Sequence, residues 1–134
     1  MARTPGYSGK PLYQKLGLKP GHRCIPLNAP DDYEALLNGA EGITYVSPPG
    51  PADMVHLFCA NRAVLDAQGL VALKYVDTGG MLWISWPKKS SSQFVDLTED
   101  DLRDVVLKTN WVDVKVCAVD ADWSGLKFLR RKGA

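Results

Sequence analysis

The strongest constraint on this chain is an alternation. Short apolar runs recur along it, and stretches with helical spacing or turn residues separate them. Arg23–Leu27 and residues 42–46, 53–59 and 81–86 read as strands. The third is a continuous apolar run, of the kind buried on both faces of a parallel sheet. Pro26 inside the first predicts an early end or a bulge, because proline cannot donate to a ladder. Between the strands, Pro30 opens a helix through Leu37. Asp31 and Asp32 sit in its first turn, where negative charge suits the helix dipole. Asn61 is placed to cap a helix through about Tyr75, which Gly69 weakens. Thr98 followed by Asp101 has the form of a capping box, with Asp shorter than the preferred Glu. A short first helix starts at Pro11, pairs Leu12 with Leu16 and stops at Gly17.

Turn residues punctuate the rest. Residues 47–51 are Ser-Pro-Pro-Gly-Pro and predict a loop, and residues 77–80 predict a turn. Pro87 stops the fourth strand before a polar loop over residues 88–93. After Asn110, valines alternate with Asp113, Lys115 and Cys117, the period of a strand. Residues 120–123 turn the chain, and residues 125–129 return as a hairpin. Strands alternating with helices predict an α/β fold with a parallel sheet, to which the hairpin adds an antiparallel part. The 134 residues suit one domain, read here as residues 11–132 behind a flexible arm of residues 1–10.

Charge narrows the function classes. Sixteen Lys and Arg against fifteen Asp and Glu leave a net charge of +1, which argues against nucleic-acid binding through global charge. No apolar run approaches the ~20 residues of a membrane span, and the polar start does not read as a signal peptide. Cys24, Cys59 and Cys117 form no C-x-x-C pair and lie in apolar stretches. They read as reduced, buried thiols in a cytoplasmic protein. His56 lies inside the third apolar run, where a hydrogen-bonded core imidazole is expected rather than a catalytic one. No P-loop, G-x-S-x-G or H-E-x-x-H motif is present, and no metal ligand set is proposed.

Several stretches carry a family resemblance. Leu16-Gly17-Leu18-Lys19-Pro20-Gly21-His22-Arg23 resembles the entrance to the first strand of class I S-adenosylmethionine-dependent methyltransferases. Ala52-Asp53-Met54-Val55-His56-Leu57-Phe58 looks like their central strand. The run from Asp77 through Gly79-Gly80 to Trp86 looks like their proline-glycine-glycine turn and next strand, with Thr78 in place of Pro. The closing hairpin is similar too, so the resemblance spans about residues 12–130. The chain looks closer still to a small bacterial family of this Rossmann-like type, on Tyr7-Ser8-Gly9, Trp86-Pro87-Lys88-Lys89 and Asp122-Trp123-Ser124-Gly125-Leu126-Lys127. No activity is established for that family. The resemblance implies a Rossmann-like three-layer sandwich. Its mostly parallel sheet has six strands where the full methyltransferase sheet has seven, and it ends in an antiparallel hairpin.

The cofactor motif does not carry over. Methyltransferases place a glycine-rich loop after the first strand, where the cofactor meets bare backbone. Here Leu27 is followed by Asn28-Ala29-Pro30-Asp31-Asp32-Tyr33. An acid for the ribose is expected at the end of the second strand, yet Tyr45-Val46-Ser47-Pro48 has none. Losing two or three charge-assisted hydrogen bonds costs ~3–9 kcal/mol. The reading is therefore a non-catalytic methyltransferase-like domain, without cofactor, that binds a partner protein or small anionic ligand. The alternative is a small transferase with an altered S-adenosylmethionine or nucleotide site, and a strand-end crevice filled by Tyr33 or Trp86 would count against it.

Candidate ligand residues cluster beyond the carboxyl ends of the strands, where open α/β sheets bind. They are Asn28, Asp31, Asp32, Ser47, Asn61, Trp86, Lys88 and Lys89. Trp86, the two lysines and Ser90 to Ser92 could hold an anion. The competing reading is a solvated loop with Trp86 packed at its strand end. By the resemblance, the turn of the closing hairpin lies at the opposite end, which leaves Trp123 as a core plug rather than a ligand contact.

Overall fold

The alternation folds into one six-stranded sheet in the computed structural model, which describes residues 10–132. The expected arm lies almost wholly outside the described residues. The helices are α1 (Leu12–Leu16), α2 (Tyr33–Leu36), α3 (Arg62–Leu73) and α4 (Glu99–Val106). The strands are β1 (Arg23–Leu27), β2 (Thr44–Tyr45), β3 (Ala52–Phe58), β4 (Val76–Pro87), β5 (Trp111–Ala118) and β6 (Trp123–Arg130). Their order across the sheet is β2-β1-β3-β4-β6-β5. The β1–β2, β1–β3 and β3–β4 pairs are parallel, whereas β6 runs antiparallel to both β4 and β5.

Period-two alternation divides the core between the two faces of the sheet. Val55, Leu57, Leu82 and Ile84 pack with Leu65 of α3 and Leu102 and Val106 of α4. Met54, Phe58, Met81 and Trp83 pack with Leu12 and Leu16 of α1 and Tyr33 of α2. The Trp83 indole N–H donates to the Leu16 carbonyl at 2.9 Å, anchoring α1 to the centre of the sheet. Gly17 ends that helix in the left-handed region at φ 84°, which a glycine adopts freely. Asn61 caps α3 by accepting from the Val64 N–H at 3.1 Å. Asp101 closes its turn by accepting from the Thr98 N–H at 2.9 Å. The Thr98 hydroxyl donates to the same carboxylate at 3.1 Å.

Four local expectations are corrected. Pro26 neither ends β1 nor bulges it, since the β1–β3 register runs unbroken through Leu27. The Val46 N–H donates to the Cys24 carbonyl on the β2 side. Pro26, two residues on, faces that same side without an N–H, so it is β2 pairing that stops. Accordingly β2 has two residues, and α2 is also shorter than its pattern suggests. Residues 77–80 do not form a free turn. They make a bulge inside β4, because Ala52 pairs with Val76 while Met54 pairs with Met81. Gly80 is required there, since a Cβ would lie 2.7 Å from the Asp53 carbonyl oxygen. On β5, Val114 and Val116 are exposed. β5 is the outer strand, and its register shifts between Asp113 and Lys115, beyond the cover of α4.

Candidate functional site

Because β1, β3 and β4 are parallel, their carboxyl ends at Leu27, Phe58 and Pro87 share one edge of the molecule. The antiparallel β6 begins beside Pro87 at Trp123. The β5–β6 turn therefore lies at this same edge, and its expected position at the opposite end is overturned. Antiparallel pairing with β4 dictates the result. The Lys88 N–H donates to the Asp122 carbonyl at 2.8 Å, and the Ser91 hydroxyl donates to the Asp122 carboxylate at 2.8 Å. These bonds tie the polar loop after β4 to the hairpin turn.

The sequence-derived candidates separate at this edge. Asn28 takes a left-handed backbone, φ 57°, the conformation that a glycine would otherwise supply. Its amide group donates to the Phe58 carbonyl at 3.3 Å and to Gln68 Oε1 at 3.0 Å, so it bridges β3 to α3. Asn61 is likewise occupied as a helix cap. Asp31, Asp32 and Ser47 are exposed around the short α2 and β2. Trp86, Lys88 and Lys89 do come together. They line an open cleft of about 430 Å³ with Thr98, Glu99, Asp100 and Ser124. Trp86 itself is buried in the core cluster with α3 and α4, so it offers the cleft little exposed surface. Glu99 and Asp100 bring negative charge to the lysines, although both also pair with Arg103.

A buried polar chain lies under this edge on the α1–α2 face. His56 Nδ1 is 2.9 Å from the Tyr33 hydroxyl, and its Nε2 is 2.7 Å from the Ser85 hydroxyl. A neutral imidazole has one donor and one acceptor, and the two hydroxyls supply the complementary roles. All three residues are buried, His56 and Ser85 completely. Burial holds the His56 imidazole neutral and moves its pKa down to about 3. The Tyr33 phenol is pushed well above its ordinary value, chiefly by burial, and burial pushes the Cys24 thiol up to about 11. Tyr33 meets Phe58 edge-on at 5.8 Å, His56 stacks on Phe58 at 4.3 Å, and Trp123 meets Phe58 edge-on at 5.2 Å. The expectation of a core histidine is met, with hydroxyls and not a thiol at both nitrogens. The sequence pattern offers Tyr33 as an apolar helix position or a filler of the strand-end crevice, not as a partner of His56, and it does not single out Ser85. The available signal was a lone serine inside a buried strand. Among the described residues no cluster of three His, Cys, Asp or Glu could hold a metal.

No family model matches the sequence, and no curated protein matches it either. Solved structures do. One is a ribosomal protein L11 methylase from Lactobacillus delbrueckii subsp. bulgaricus, with TM-score 0.56, 12% identity, and 90% of this chain and 75% of that one covered. Another is a putative methyltransferase from Thermoplasma acidophilum, with TM-score 0.57, 9% identity, and coverage of 92% and 76%. The B. subtilis M1A22 tRNA methyltransferase TrmK is similar at TM-score 0.55 and 10% identity, with coverage of 93% and 67%. This chain has a Rossmann-like methyltransferase fold. At such identities the likeness concerns the fold alone. No helix among the described residues is long and apolar enough to cross a membrane.

Proposed function

We propose that this chain is a non-catalytic methyltransferase-like domain that works by binding. One observation carries the reading. Tyr33, 4% exposed and bonded to His56, stands edge-on to Phe58 at the end of β3, and it fills the segment after β1 where the resemblance expects a glycine loop that leaves room for cofactor. Opening that space would strip His56 of a buried partner, at a cost of about 1–3 kcal/mol before any ligand contact forms. The retained sheet is then a scaffold, which we read as three layers with helices over both faces, and the free thiols suit a reducing cytoplasm.

The cleft beyond β4 is where a partner protein would dock. Its lysines face Glu99 and Asp100, so it suits a peptide bearing both charges better than a lone anion. The test is calorimetric titration with S-adenosylmethionine and S-adenosylhomocysteine, backed by thermal shift. A ligand at ~100 times its dissociation constant adds about 2.7 kcal/mol of stability. The expected result is no saturable heat and no shift with either compound. Stoichiometric binding of either one would overturn the proposal and restore the transferase reading.

A further inference from the structure

On the α1 face of the sheet, a groove of about 240 Å³ runs between α1 and the edge strand β5. Lys10, Gln14 and Lys15 line it on one side, and Lys115 and Cys117 on the other. None of the residues lining it is an acid. Such a concentration of one sign is unusual in a chain whose net charge is only +1. Lys15 is the decisive residue. It is 7% exposed, and its ammonium donates to the Ala118 carbonyl at 3.0 Å. Among the described residues it joins no ion pair, whereas buried ammonium groups are ordinarily paired. Residues 1–9, which precede the groove, contain no carboxylate in their sequence.

The sheet adds further positive charge. Lys115 stands directly opposite Lys127 in the β5–β6 ladder, a like-charged pair that costs stability when nothing lies between. Lys127 has its pKa pulled down, first by burial and then by Lys115. The Cys117 thiol is raised by burial, and Lys15 and Lys115 act against that rise. The fields of the two lysines therefore converge at the base of the groove.

We propose that this groove binds a phosphate-class oxyanion, free or as a phosphate monoester, between Lys10, Lys15 and Lys115. A phosphate dianion offers acceptors for several ammonium groups at once and neutralises Lys15, and the Gln14 side chain can donate as well. The site is separate from the β4 cleft, and its occupancy does not depend on whether the domain is catalytic.

The test is calorimetric titration of the full chain with inorganic phosphate and, in a second arm, glycerol phosphate, at ionic strength fixed with chloride. Saturable binding is expected to the native protein. It should weaken at least ~10-fold in a Lys10→Gln/Lys115→Gln double variant, whose exposed positions leave the core intact. A Lys88→Gln/Lys89→Gln variant should bind as the native protein does. Tighter binding of the ester would identify a phosphorylated metabolite as the source, and the reverse a free ion. Amide signals of residues 115–118 should shift as the groove fills. The proposal is overturned if neither compound binds saturably, if the first double variant binds equally well, or if only the second loses binding.

Discussion

His56 makes the stability of this protein depend on pH in a defined window. Its imidazole is neutral when folded, because burial lowers its pKa from an ordinary 6.5 to about 3. Below pH 6.5 the unfolded chain therefore binds a proton that the folded chain refuses. Stability rises with pH wherever the unfolded state binds more protons. The contribution is thus fully present above pH 6.5 and is lost as pH falls towards 3. The whole difference is worth about 5 kcal/mol, and the part falling between pH 7 and pH 5 about 2 kcal/mol. Asp53, Asp77 and Asp101 also have lowered pKa values, but from an ordinary 3.8, so their losses come below this window. Urea unfolding of the native protein and of His56→Gln at pH 7 and pH 5 isolates the effect, since glutamine has no proton to gain. The variant is less stable at pH 7, and the gap should narrow by about 2 kcal/mol at pH 5. A gap equal at both values would refute the reasoning, as would a His56 imidazole resonance, identified by its absence from His56→Gln, titrating near pH 6.5 in the folded protein.

Other substitutions test neighbouring parts of the argument. Tyr33→Phe removes the hydroxyl at His56 Nδ1 and leaves a buried ring nitrogen unpaired. It should cost about 1–3 kcal/mol in chemical denaturation, and it should create no binding of S-adenosylmethionine. Gly80→Ala drives a Cβ to within 2.7 Å of the Asp53 carbonyl oxygen, so the melting temperature should fall by the equivalent of about 1–3 kcal/mol. Asp101→Ala removes the acceptor for the Thr98 N–H and one of the partners of Arg62, and should destabilise by about 1–2 kcal/mol. Val116→Thr changes an exposed site on the outer strand and should stay within about 0.5 kcal/mol of the native protein.

Much of the architecture was legible because it rests on local rules. Asn61 and Thr98 mark helix starts, since only short polar side chains reach the free N–H groups or close the box. Gly17 marks a stop for the equally local reason of a left-handed backbone. The segments around β2 and α2 were read too long, because pairing partners and not propensity decide where an edge strand ends. The bulge at residues 77–80 looked like a turn because Gly-Gly serves either purpose, and only the adjacent β3 distinguishes them. The grouping of Trp86, Lys88 and Lys89 was legible from their adjacency in the chain. Their acidic neighbours Glu99 and Asp100 arrive from another element, and no spacing announces that.

The sequence by itself determined the element order, the Rossmann-like character of the sheet and the absence of a glycine loop after β1. These follow from periodicity and from the conformational range of individual residues, which act over a few positions. Tertiary structure alone decided that Tyr33 and Ser85 would meet the two nitrogens of His56, from 23 and 29 residues away. It also decided that the hairpin turn would stand at the strand-end edge, and that Lys15 would be buried against Ala118, 103 residues distant. Such meetings depend on strand order and direction, which no local pattern encodes. They arise only when the sheet closes its ladder and both of its faces are covered.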